Sequence, residues 1–253
     1  GTYTNGAYTD GVYHAVGSSI NPSDDLIVAA GSAGLRRLDN FSFSNATAGT
    51  EGELAAADAA TMRGELLGTD ELVTRRVAAL LVDDGGSQRE IVLSADGEAG
   101  ARVVLRGSDG DVVKSAVYFA GDDRPTGSPD LRAADAGALD PTADTVGAAE
   151  GVGEVRDVTA WIATQDGEER IFGAFASVDE GLLIAELGTV TELLVASPTP
   201  EPTAPVRVRA IPDARSLDFI DGMLVVAGGG GGTHLVDVTN IARPYVIRNY
   251  DAS

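Results

Sequence analysis

Three acidic turns are the first places in this sequence where chemistry could reside: Asp83-Asp84, Asp109-Gly110-Asp111 and Asp122-Asp123. Calcium takes roughly six to eight oxygens, and carboxylates spaced as D-x-[DN]-x-[DN]-G bring enough of them into one loop. None of these turns has that spacing. Hairpin turning and surface charge explain them better. The expectation is no bound cofactor, with calcium the one ion the acids leave open. The only histidines are His14 and His234, and no G-x-S-x-G nucleophile elbow occurs. Both histidines read as ordinary strand residues. Five glycines in a row, Gly228–Gly232, resemble a phosphate loop only in composition. A phosphate loop leads into a helix whose amides hold the anion, whereas this run leads into the apolar stretch Thr233–Val238. A flexible hairpin is the expected structure. Paired carboxylates could hydrolyse a glycosidic bond, but among 39 acids no pair stands apart. No catalytic, cofactor-binding or metal residue is therefore assigned. Two N-x-S/T triplets, Asn40-Phe41-Ser42 and Asn45-Ala46-Thr47, make Asn40 and Asn45 candidate N-glycosylation sites.

The elements around these residues are legible from residue 215 onward. Ser216–Ile220, Met223–Ala227, Thr233–Val238 and Tyr245–Asn249 are apolar runs separated by Asp221-Gly222, the glycines and Asn240–Pro244. Asp-Gly between apolar runs signals a hairpin, because both central residues of a type I′ turn need positive φ. The unit reads as a four-stranded antiparallel meander, and it recurs three times upstream. The second strands mark the repeats: Leu26–Gly31, Glu90–Ala95, Arg170–Ala176 and Met223–Gly228. These runs do not alternate with polar residues, as expected of strands covered on both faces. The fold class expected is all-β, a single β-propeller over 1–253. Its blades are four-stranded and antiparallel, and number four, or five if 121–153 supplies one. Insertions at 40–61, with a short helix over 53–62, and at 121–153 interrupt the repeat. A Pro-rich connector at 197–205 separates a third blade ending at Thr189–Ala196 from a fourth beginning near Val206. Trp161 is expected to anchor a blade interface.

Composition narrows the setting. The formal net charge is −21, from 39 acidic and 18 basic residues, and Lys114 is the single lysine. Such a chain repels itself in dilute buffer, but at ~1 M salt the Debye length falls to about 3 Å. A high-salt environment is expected. The acidity argues against nucleic acid and anionic lipid as partners. No run of about 18 apolar residues is present, so no membrane span is expected. The N-terminus has neither a basic nor an apolar leader region, so any signal peptide is expected to have been removed. Cysteine is absent, which removes disulfides and thiolate metal sites.

Residues 233–244, Thr-His-Leu-Val-Asp-Val-Thr-Asn-Ile-Ala-Arg-Pro, resemble the LVIVD repeat of bacterial and archaeal surface proteins. Leu235, Val236, Asp237, Val238, Thr239 and Pro244 carry the resemblance, and Gly34–Asn40 is a weaker echo without the proline. The resemblance implies a propeller and a surface location, and it implies no catalytic residue. Asp237 would cap its turn through its own backbone. The expected function is a non-catalytic extracellular binding or structural module of a halophilic cell surface or virion. It would serve adhesion, attachment or assembly through protein or glycan partners, or through further copies of itself. The alternative is a propeller-fold hydrolase acting on glycans.

Overall fold

The computed structural model describes residues 14–17, 26–29, 31, 34–38, 62–67, 73–84, 86–98, 100–107, 112–120, 154–189, 192–193, 206–208 and 210–250. These residues form four antiparallel meanders of four strands each. The first sheet holds β1 (His14–Gly17), β2 (Leu26–Ala29), β3 (Leu35–Leu38) and β4 (Met62–Leu67). The second holds β5 (Arg76–Asp84), β6 (Ser87–Ala95), β7 (Gly100–Arg106) and β8 (Val112–Ala120). The third holds β9 (Val155–Gln165), β10 (Glu168–Ser177), β11 (Gly181–Thr189) and β12 (Val206–Val208). The fourth holds β13 (Ala214–Ile220), β14 (Met223–Gly228), β15 (Gly232–Asp237) and β16 (Tyr245–Tyr250).

The sheets stack in chain order, and their cores explain the uninterrupted apolar runs. Successive residues of a strand point to opposite faces. On β6, Ile91, Leu93 and Ala95 pack with Ile171 and Phe175 of the third sheet. Val92, between them, packs with Ile27 and Leu35 of the first. On β10, Phe172, Ala174 and Ala176 turn the other way, onto Leu217, Leu224 and Val226 of the fourth sheet. Both middle sheets thus bury both faces. Each large side chain removed from water contributes roughly 1.5–3 kcal/mol. First strands lie beside first strands: β1 beside β5, β5 beside β9, and β9 beside β13.

Two Asp-Gly turns are of the expected kind. Asp166 and Gly167 have φ of 54° and 85°, and Asp221 and Gly222 have 47° and 80°. Each closes a two-residue hairpin. Asp96-Gly97 is not such a hairpin. Here β6 passes to β7 through Gly97-Glu98-Ala99-Gly100, with Gly97 and Gly100 at φ 60° and 93°. The first sheet repeats this as Gly31-Ser32-Ala33-Gly34, with φ of 59° and 74° at the two glycines. In each, the amide of the second glycine donates to the carbonyl of the first, at 2.9 Å for Gly34 and 3.0 Å for Gly100. The first glycine then pairs with the next sheet. Gly31 exchanges two backbone hydrogen bonds with Thr74, and Gly97 two with Val155, at 2.9–3.1 Å. At the third junction the Leu182 amide donates to the Ile211 carbonyl at 3.2 Å. Gly181 there has φ 77°, and a Cβ on it would meet that same oxygen at 2.0 Å.

Two expectations are corrected. The third sheet does not end on a strand over 189–196, since residues 192–193 are helical. The cause is a capping box, Thr189-Val-Thr-Glu192. The Glu192 carboxylate accepts from the Thr189 amide at 2.8 Å, and the Thr189 hydroxyl accepts from the Glu192 amide at 3.1 Å. The fourth strand is instead Val206–Val208, paired with Leu182–Ile184. The Pro-rich stretch at 197–205 therefore falls inside the third sheet's sequence and does not separate two sheets. The glycine run closes the expected hairpin, joining β14 to β15 through a 3-10 turn, Gly229–Gly231. A Cβ on Gly228 would lie 2.9 Å from the His234 ring, and one on Gly229 would lie 1.8 Å from the Asp213 carboxylate. The segments 1–11, 40–61 and 121–153, with their proposed closing strand, helix and fifth blade, lie outside the described residues.

Candidate functional site

The chemistry-bearing side chains that the fold brings together lie at the sheet junctions. Asp157, on β9, is 3% exposed and reaches three sheets at once. One oxygen accepts from the Leu217 amide and the Ser216 hydroxyl of β13, both at 2.8 Å. The other accepts from the Val158 amide at 2.8 Å and pairs with the Arg76 guanidinium of β5 at 3.0 Å. Burial raises the Asp157 pKa above its ordinary value, against the opposing pull of the Leu217 amide, the Ser216 hydroxyl, Arg76 and the Val158 amide. Its donors fill the carboxylate, so it works as a fixed tie between sheets.

Asp96 is held in the same manner inside the second unit, beside its junction with the first sheet. It accepts from the Thr74 hydroxyl at 2.6 Å and the Ser94 hydroxyl at 3.2 Å, and pairs with Arg102 at 2.9 Å. Thr74 is the residue whose backbone pairs with Gly31. Glu154 bridges Arg75 at 2.5 Å and Arg156 at 3.0 Å. Within sheets, two further pairs occupy one repeat position with their charges exchanged. Glu90 meets Arg106 on β6 and β7, and Arg170 meets Glu186 on β10 and β11. Partners are 16 residues apart in both cases.

The residues singled out by sequence fall elsewhere. The Asp83 carboxylate accepts from the Gly86 amide at 2.8 Å and shapes its own hairpin. Asp84 is paired with Ser87 at the end of that hairpin. Asn40, Asn45, Asp109, Asp111, Asp122 and Asp123 lie outside the described residues. His14 pairs across to Ala29 in the first sheet and His234 to Val226 in the fourth. His234 is buried, and its Nδ1 has no hydrogen-bond partner among the described residues. Asp237 caps its turn, accepting from the Thr239 amide at 2.9 Å and hydroxyl at 2.6 Å. Those bonds and one from Tyr245 hold its pKa below the ordinary value. Among the described residues no three His, Asp or Glu side chains are placed to share a metal ion. No helix among them is long and apolar enough to cross a membrane.

Sequence reading missed Asp96, Asp157 and the Glu90–Arg106 pair. A signal was present: each charge sits within or at the end of an apolar run that must be covered on both faces. A buried charge persists only when paired, so such positions announce a partner without naming it.

No family model matches the chain, and no curated protein does. Among solved structures 58 chains match. One is the crystal structure of the computationally designed Ika8 protein, 8% identical over 90% of this chain, with a TM-score of 0.38. The chain spans 46% of that protein's length.

Proposed function

We propose that this chain is an acidic β-propeller acting as a non-catalytic binding or structural module outside a halophilic cell or on a virion. The four meanders are its blades, their neighbouring first strands line the axis, and the last repeat is of the LVIVD kind. The observation that carries this reading is how the buried carboxylates are used. Among the described residues they are Glu90, Asp96 and Asp157, and each is bound to arginine, hydroxyl or amide partners, inside the second unit for Glu90 and Asp96 and across three sheets for Asp157. An enzyme would keep such acids facing a cavity with a perturbed pKa and a free edge. Contact with protein or glycan partners then falls to the long connections at 40–61, 121–153 and 197–205, since loops carried by a rigid scaffold are the usual binding elements. Asn40 and Asn45 carry glycans in this setting.

Two measurements test this. Thermal unfolding followed by circular dichroism should rise by about 10 °C or more between 0.1 and 2 M NaCl, as the repulsion of the excess carboxylates is screened. A midpoint that does not move with salt removes the halophilic setting. Glycan arrays and envelope preparations probed in high salt should retain the protein, and deleting 121–153 should reduce retention. Release of reducing sugar from those glycans would instead establish the hydrolase.

A further inference from the structure

The second, third and fourth sheets each carry an arginine at one shared position, at the start of the first strand. Val77, Val158 and Leu217 are buried at successive junctions between sheets. The residues just before them, Arg76, Asp157 and Ser216, pair with Ala95, Ala176 and Ala227, so the three strands are in register. One residue earlier stand Arg75, Arg156 and Arg215. First strands lie beside first strands, which gathers these arginines at one end of the row. Their side chains are 39%, 31% and 53% exposed. Glu154 bridges Arg75 and Arg156, and Asp213 pairs with Arg215. In the second sheet the position of those two acids is taken by Val73. Arg76 is matched by Asp157. Among the described residues, three guanidiniums thus share two carboxylates, an excess of one positive charge in a chain of net −21. The connection 121–153 opens at this same end: β8 finishes at Ala120, opposite Gly100, and the chain re-enters at Glu154.

We propose that this arginine group binds the carboxylate of an acidic sugar, a uronic acid carried on an otherwise neutral glycan. The proposal rests on the reading of the chain as a non-catalytic module with glycan partners. Charge by itself selects little here, because at ~1 M salt the Debye length is about 3 Å and chloride reaches every exposed cation. Selection falls to shape. A guanidinium presents its N–H donors as a planar fork, which a carboxylate matches with two parallel hydrogen bonds and a spherical halide does not. Glu154 shows the fit inside the protein, each of its oxygens taking one arginine. The exposed sides of the same arginines are left for a ligand. An excess of one charge takes one carboxylate. An acidic peptide or a polyanion brings several, and sets the surplus against Glu154 and Asp213 at contact distance, where salt screens least.

The test is an NMR titration in about 2 M NaCl with methyl glucuronide, and with methyl glucoside as its neutral counterpart. The side-chain signals of Arg75, Arg156 and Arg215 should shift with the glucuronide, with a dissociation constant of about 1 mM, and stay in place with the glucoside. Arg75→Lys keeps the charge beside Glu154 but loses the fork, and should weaken binding about tenfold while the thermal midpoint moves by no more than about 3 °C. Glu154→Gln removes the internal competitor and should tighten binding about threefold, a direction that arginines serving the junction alone would not give. Absence of shifts with the glucuronide, or equal shifts with the glucoside, overturns the proposal. Sulfate or a blocked glutamate peptide binding as tightly as the glucuronide overturns it as well. In each of those cases retention of neutral glycans leaves the binding module standing. Cleavage of the glucuronide linkage would overturn the module itself, whether or not the arginines hold the sugar.

Discussion

Replacing Trp161 with alanine should lower the unfolding free energy by about 3–5 kcal/mol, the range seen for large aromatic truncations in a packed core. The side chain is 4% exposed and lies between the third and fourth sheets. Its ring stacks on Phe219 of the fourth sheet at 4.7 Å and 8°, and on Phe172 of its own sheet at 6.0 Å and 25°. Alanine would leave a cavity between two layers that backbone strands cannot close by shifting. Denaturant titration followed by circular dichroism measures the change directly. It must be read against Trp161→Phe, which keeps an aromatic ring between the sheets and should cost much less. Equal stability of the alanine variant and wild type would mean that the fourth sheet is not seated on this ring.

Asp157→Ala should cost a comparable amount, about 3–5 kcal/mol, because it strands groups that a buried carboxylate was satisfying. The Leu217 amide and the Ser216 hydroxyl lose their acceptor, and Arg76 loses its countercharge. Three sheets loosen at one point. The pH dependence separates charge from packing. Burial places the folded pKa of Asp157 above the unfolded value of 3.8. Between those two values the folded chain holds a proton that the unfolded chain has released. The contribution of this group is therefore fully present below the unfolded pKa, and it is lost as pH rises through the folded one. Asp157→Asn is neutral throughout and lacks that slope. The stability of wild type relative to Asp157→Asn should thus fall as pH rises from the unfolded pKa. A relative stability that climbs over the same window would mean that the partner groups outweigh burial.

The strand pattern was legible because it rests on local chemistry. Asp166-Gly167 and Asp221-Gly222 adopt the positive φ that their residue types favour, and the flanking strands follow in register. The apolar runs at 90–95 and 170–176 announced coverage on two faces, and the stacked sheets provide it. What failed was longer in range or subtler in type. Thr189 and Glu192 form a capping box that an apolar flank, Leu193–Val195, disguised as a strand. The partner of β11 then lay beyond four prolines, where nearest-neighbour pairing does not look. Asp96-Gly97 carries a hairpin dipeptide, but its carboxylate is drawn into the interior by Thr74 and Arg102, and these come from elsewhere in the chain. The junction ties were invisible for the same reason. Asp157 and Ser216 are 59 residues apart, and only the stacking order makes them neighbours.

That stacking order is tested most directly by native-state hydrogen exchange at the amides of Thr74 and Val155. Each donates its bond to the turn glycine of the preceding sheet, to Gly31 and to Gly97. If the sheets are stitched in chain order, both amides exchange only through global unfolding, at the rate of Val92 in the middle of β6. Exchange at loop-like rates while Val92 stays protected would mean that the meanders fold separately and that the junctions described here do not hold.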